Sequence, residues 1–187
     1  MATRSLLFAL AVLSSCATAP AEEASIPAKK RTKAGLYLTA VDAYSLWQAT
    51  PEDVRILDVR TPEEYLHVGH APMAWNVPYA LQTYEWDANK KAFRMRPDPA
   101  FVQHVRKIAG PDEVLLVMCR SGGRSAKAVN AVTNAGFINV WTIVDGMEGD
   151  KVKDPKSPHF GQRRKNGWKN AGLPWTYDVD PSKMTLP

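Results

Sequence analysis

The segment Cys119-Arg120-Ser121-Gly122-Gly123-Arg124-Ser125 gathers one thiol, two guanidinium groups and two hydroxyls around a pair of glycines. Before it, residues 113–118 form an apolar run of buried-strand length; after it, 126–135 read as a helix closed by Gly136. A thiol so placed sits on a tight turn between a strand and a helix N-terminus. Backbone N–H groups, the positive end of the helix macrodipole, Arg120 and Arg124 then converge on one sulfur and favour its anionic form. The chemistry this suits is nucleophilic attack by a thiolate. A buried core cysteine is the plainer alternative, but such a residue requires neither paired glycines nor flanking arginines.

The elements that must position this turn are legible on either side. Short apolar runs at 36–38, 55–59, 74–77, 114–118 and 138–144 have strand character. Helical patterns lie between them: 40–48 with Leu46 and Trp47, and 61–67, opened by Pro62 where a helix tolerates proline. A third, 99–109, carries Phe101, Val102, Val105 and Ile108 on one face. This alternation predicts a single α/β domain, a parallel β-sheet flanked by helices on both faces, with functional loops at the carboxyl ends of the strands. A chain of 187 residues can bury such a core without disulfide staples. The balance of 24 Lys and Arg against 19 Asp and Glu gives a net +5, which suits a small anionic ligand. No basic stripe interleaved with aromatics is present, which argues against nucleic-acid binding.

Around the cysteine turn, four further pieces occur in a fixed order. Residues 55–65 read Arg-Ile-Leu-Asp-Val-Arg-Thr-Pro-Glu-Glu-Tyr; the second piece, 69–78, carries Gly69-His70-Ala71 and Ala74-Trp75-Asn76-Val77-Pro78. Ala135-Gly136-Phe137-Ile138-Asn139-Val140 and Ala171-Gly172-Leu173-Pro174 come after the turn. Together with the cysteine loop they resemble the rhodanese family of sulfurtransferases, over residues 35–178. The resemblance implies a rhodanese-like fold with Cys119 as nucleophile and persulfide carrier. The donor would be a small sulfur-bearing anion such as thiosulfate, and the acceptor a thiol or a cyanide-like nucleophile. The N–H groups of Arg120 through Arg124 would hold the sulfur's charge, with Gly122 and Gly123 supplying the dihedrals. Arg120 and Arg124 would attract the donor, Arg124 facing inward, while Ser121 and Ser125 add hydroxyls or Ser125 caps the helix. Asp58 and Arg60 are expected to form a buried ion pair bracing the cleft. Phosphatases and arsenate reductases share the cysteine-cradle-arginine logic, but their loops run Cys-x5-Arg and this one is Cys-x4-Arg, a ring better suited to one sulfur atom. A non-enzymatic persulfide or redox carrier, or a binding module on the same fold, is the other alternative.

Two stretches interrupt the pattern. Residues 84–97 are polar and charged and predict a surface hairpin or loop. Residues 151–165 form a basic insert, expected to draw in an anionic donor or acidic partner. It separates Asp145-Gly146, which stands where the family has a glycine pair, from Trp168. His67 and His70 have no third ligand nearby, so no metal site is expected, and no phosphate-loop or dinucleotide signature implies a cofactor.

The first 15 residues read as a signal peptide: Arg4 supplies the positive end and 6–13 the apolar stretch. Leu13-Ser14-Ser15-Cys16 resembles the lipobox of bacterial lipoproteins, in which the cysteine becomes the lipidated first residue. Ordinary cleavage after Ala19-Pro20-Ala21 would discard Cys16 instead. Either route exports the protein, so the expected location is the bacterial cell envelope (periplasm), with the lipid at Cys16 as its one link to the membrane. Either also leaves Cys119 as the sole thiol of the mature chain. Residues 16–34 read as a flexible tether and 179–187 as a C-terminal tail.

Overall fold

The computed structural model describes residues 25–186; the signal peptide and lipobox lie outside them. Five parallel strands form one sheet: β1 (Tyr37–Leu38), β2 (Val54–Asp58), β3 (Trp75–Asn76), β6 (Val114–Met118) and β7 (Val140–Ile143). Their spatial order is β1-β7-β6-β2-β3. Both faces are covered, because alternate side chains of the central strands are apolar on both sides. Leu57, Leu115 and Val117 face a core built from α3 (Phe101–Arg106) and α4 (Gly123–Asn134), including Phe101, Val105, Val129 and Val132. Ile56, Leu116 and Met118 face the opposite core, where Ala40 and Ala43 of α1 (Ala40–Ala49) meet Met147 and Trp168. Each of these strand side chains is at most 1% exposed, a burial that contributes about 1.5–3 kcal/mol apiece.

Helix starts follow local chemistry. Thr39 and Asp42 form a reciprocal capping box at α1, and Thr61 and Glu64 form one at α2 (Pro62–Val68), where Pro62 occupies the first turn. The expected 84–97 insertion is a hairpin, β4 (Ala80–Asp87) paired antiparallel with β5 (Ala92–Pro97). It stands apart from the main sheet, with β5 exposed throughout.

The described parts of the segments read as tether and tail, 25–34 and 179–186, are packed instead. Ile26, Lys30 and Thr32 are buried, and the Lys33 amide donates to Asn130 of α4. The stretch is polar, but the Lys30 ammonium finds a carboxylate in Asp150 and its stem lies against the protein. At the other end, Met184 bridges Asn76 in parallel and the Thr185 amide donates to the Asn76 carbonyl, so the tail covers the β3 edge. The expected 126–135 helix begins earlier, at Gly123, because Gly122 turns the chain with φ +95°.

Candidate active site

All five strands run the same way, so their carboxyl ends share one rim, and the loops after β2, β6 and β7 meet there. Cys119 follows β6 directly, at the centre of the sheet. The Val59 amide donates to the Met118 carbonyl, tying the β2 loop to the end of β6. From the other side, Met147 N donates to Cys119 O at 2.8 Å and Glu148 N to Arg120 O at 2.9 Å. Peptide units are trans, so fastening these carbonyls toward the 145–148 loop turns the N–H groups of Arg120 and Ser121 the opposite way. Gly122 O accepts from Ala126 N and from Ser125 Oγ, which sends the Gly123 N–H out of the helix N-terminus. No amide from Arg120 through Ser125 donates to any acceptor among the described residues. The turn is therefore a nest of unpaired donors at the positive end of a helix.

Gly122 and Gly146 make this turn possible. A Cβ on Gly122 would stand 2.3 Å from Val144 O, and one on Gly146 2.4 Å from Cys119 O. Gly123 is different: φ is not positive and nothing lies within 4 Å of its ideal Cβ, so only one member of the expected glycine pair is sterically required. Asp145 anchors the packing loop, accepting from Ala40 N at 2.8 Å and Gly167 N at 3.0 Å. Burial pushes its carboxyl up despite these amides.

Cys119 is 2% exposed and lies at the wall of a pocket of about 320 Å³ lined also by Lys29, Arg120, Ser121, Gly123, Arg124 and Lys127. The lining contains four cations and no carboxylate. Ser125 is fully buried with its hydroxyl 3.7 Å from Cys119 Sγ. It is not the cap, since Gly122 holds that position; it sits in the first turn, facing the sulfur.

Arg124 departs from the expected role. Its guanidinium is held two-pronged by Glu64, Nη1 to Oε2 at 2.5 Å and Nη2 to Oε1 at 2.6 Å, so it walls the pocket with its charge already compensated. Burial works against both charges. The mutual pairing overrides it, holding the Glu64 carboxyl below the ordinary glutamate range and raising the Arg124 pKa. The free cations near Cys119 are Lys29, Arg120 and Lys127, none of which forms an ion pair among the described residues.

A family model described as the rhodanese-like domain matches residues 41–152. The chain belongs to this family. It is 44% identical over 92 residues to thiosulfate sulfurtransferase 16 (chloroplastic) of Arabidopsis thaliana, covering 49% of this chain and 69% of that protein. An uncharacterized Rickettsia conorii protein is 32% identical over 123 residues, covering 65% of this chain and 82% of its own length. The crystal structure of Rv0390 from M. tuberculosis shares the fold, with a TM-score of 0.59 at 24% identity over 76% of this chain and 97% of that one.

Within this rhodanese-like domain, Asp58 and Arg60 form a fully buried pair with Nη2–Oδ2 at 2.6 Å. Arg60 also donates to Gly69 O, and Asn76 donates to the carbonyls of Asp58 and Arg60. The pair braces the β2 loop beside the cysteine turn. His70 is buried and stacks on Tyr65 at 3.7 Å between ring centroids, donating from Nδ1 to the Tyr65 carbonyl. His67 is exposed on α2. Sequence reading missed Glu64, Lys29, Lys127 and the Lys30–Asp150 pair. Only Glu64 carried a local signal, the Thr61-x-x-Glu64 capping pattern, and that signal points to a helix start rather than to Arg124.

The 151–165 insert leaves the family's closure intact. Trp168 N still donates to Gly146 O at 2.8 Å, and the Trp168 ring is fully buried. The insert is an excursion pinned at its base, where Asp150 N donates to Asn166 Oδ1 and Arg163 to Gly149 O. A Lys151–Arg163 bridge and a Val152–Phe160 bridge fold it on itself, so the segment is structured.

Proposed function

We propose that the protein is a sulfurtransferase that carries sulfane sulfur on Cys119. The observation behind this reading is a buried thiol beside a nest of unpaired amides in a pocket edged by Lys29, Arg120 and Lys127. Thiosulfate enters as an anion, and the Cys119 thiolate attacks its outer sulfur. The S–S bond of the donor breaks, its electron pair leaves with sulfite, and Cys119 keeps the transferred sulfur as a persulfide anion. The amides of Arg120 through Ser125 hold that charge, and the Ser125 hydroxyl can turn from the Gly122 carbonyl to donate to the sulfur. A thiol or cyanide then attacks the outer sulfur and restores the Cys119 thiolate. The 44% identity to an Arabidopsis thiosulfate sulfurtransferase supports the same reading. Phosphate-ester chemistry of the Cys-x5-Arg kind would use the arginine that closes the loop to clamp the oxyanion, and Arg124, which closes this one, is committed to Glu64.

Mass spectrometry of the intact protein tests this. Thiosulfate should add one sulfur atom at Cys119, and cyanide should remove it as thiocyanate. A thiol that gains no sulfur under these conditions would sink the assignment.

We propose further that the protein is exported and held in the bacterial cell envelope by a lipid at Cys16. The support is the basic Arg4, the apolar stretch 6–13 and the Leu13-Ser14-Ser15-Cys16 motif. No helix among the described residues is long and apolar enough to cross a membrane. Cys16→Ala should abolish partition of the mature protein into detergent. An unlipidated N-terminus at Glu22 would favour ordinary cleavage.

A further inference from the structure

Two segments outside the family's matched stretch, 41–152, meet beside the Cys119 pocket. Lys29 and Lys30 precede that stretch, and Lys153, Arg163 and Lys165 follow it. Lys30 Nζ ties the first of them to the end of the matched stretch by donating to both oxygens of Asp150, at 2.9 and 2.7 Å. Against this junction lies a groove of about 670 Å³ whose walls include Lys29, Ser121, Lys151, Lys153, Arg163 and Lys165. Lys29 and Ser121 also line the Cys119 pocket, so the two spaces share a wall.

The groove's charge is strongly positive. Lys29, Lys151, Lys153 and Lys165 form no ion pair among the described residues. Of the acids on its walls, Asp150 is held by Lys30, and Asp154 accepts from the Lys156 amide. Its volume is about twice that of the pocket at Cys119, and falls in the range of small-ligand sites. A compact oxyanion donor fits the smaller space. A ligand using both must be elongated, with its sulfur at one end and its negative charges at a distance.

We propose that this groove is the acceptor site, binding the carboxylates of a peptide-like thiol whose sulfur reaches Cys119. The proposal rests on the persulfide reading above. The acceptor enters as its thiolate and attacks the outer sulfur of the Cys119 persulfide. The S–S bond to Cys119 breaks, its electron pair returns to Cys119 as thiolate, and the acceptor leaves as a persulfide anion. Of the groove's cations, Lys29, Lys30, Lys153, Arg163 and Lys165 lie outside the matched stretch and only Lys151 lies within it, at its end, so most of the charge belongs to this chain's own segments rather than to the fold.

Steady-state kinetics on the full chain test it, with glutathione as the probe because it is a tripeptide thiol bearing two carboxylates. With thiosulfate as donor, the unaltered protein should show a KM for glutathione about tenfold below that for glutathione diethyl ester, the worth of one or two charge-assisted contacts. The Lys151→Gln/Lys153→Gln/Lys165→Gln variant should raise the glutathione KM by a similar factor. Its KM for thiosulfate and its turnover with cyanide should not change. Equal KM values for glutathione and its diester in the unaltered protein would overturn the proposal without requiring any variant to fold. So would a shift of the thiosulfate KM in the triple variant, which would make the groove a donor site. Thiocyanate production separates the two levels: if cyanide is still converted while glutathione shows no preference, only the acceptor site is wrong. If no thiocyanate forms, the persulfide reading fails and this proposal with it.

Discussion

Arg124 and Glu64 hold each other through two N–H···O contacts, at 2.5 and 2.6 Å, where Arg124 walls the Cys119 pocket. Glu64 reaches this position from the first turn of α2, where the same carboxylate accepts from the Thr61 amide. One side chain thus starts a helix and fixes a wall of the pocket.

Removing that carboxylate should show in stability and in its pH dependence. Both side chains are about one-fifth exposed, so Glu64→Gln should cost about 1–3 kcal/mol at neutral pH. The Glu64 carboxyl is held below its ordinary value of 4.5. Its contribution is therefore present above that value and is lost as the pH falls through the depressed folded value. Urea unfolding across an acid pH series should show a stability loss in the unaltered protein that is smaller in the variant. Parallel curves would remove Glu64 from the account.

Cys119→Ser should abolish sulfur transfer and leave the fold in place. A hydroxyl is far too weakly acidic to supply the attacking anion. Its polarity is accommodated, since the neighbouring amides have no other partner. The thermal midpoint should stay within about 4 °C, and thiosulfate should add no sulfur to the variant.

The two glycines of the turn should respond in opposite ways. Gly122→Ala forces a side chain into the left-handed region and into Val144 O, so it should destabilise the protein by more than about 2 kcal/mol and remove activity. Gly123→Ala meets open space at the start of α4 and should be neutral or stabilising by up to about 1 kcal/mol. Comparing the two thermal midpoints checks the pair directly.

Lys30→Met tests whether the N-terminal segment braces the turn. The ammonium is 3% exposed and Asp150 about one-third exposed, so loss of the pair should cost about 1–3 kcal/mol, discounted for water near Asp150. The Lys30 stem also lies against Gly122, as its Cδ would be 2.8 Å from a Cβ there. Hydrogen exchange should therefore quicken at the Met147 and Glu148 amides, which fasten the cysteine turn. Unchanged exchange would reduce Lys30 to surface packing.

The amino-acid sequence by itself determined the order of strands and helices and the position of the thiol. Apolar runs such as 114–118 must be buried on both faces, and Thr61, Pro62 and Glu64 start a helix through contacts made within one turn. The Cys119 turn was legible for the same reason, because strand, glycines and helix are contiguous. Tertiary structure alone decided which cations remain free around the sulfur. Arg124 lies 60 positions from Glu64, and Lys30 lies 120 positions from Asp150. No local pattern encodes such pairs: a charged residue in a polar stretch has the same sequence signal whether solvated or paired. Only when the chain closes does Glu64 claim Arg124, leaving Lys29, Arg120 and Lys127 uncompensated at the pocket. Gly122 and Gly123, adjacent and alike in the sequence, are likewise told apart by a distant neighbour, the Val144 carbonyl that leaves no room for a Cβ at one and does not reach the other.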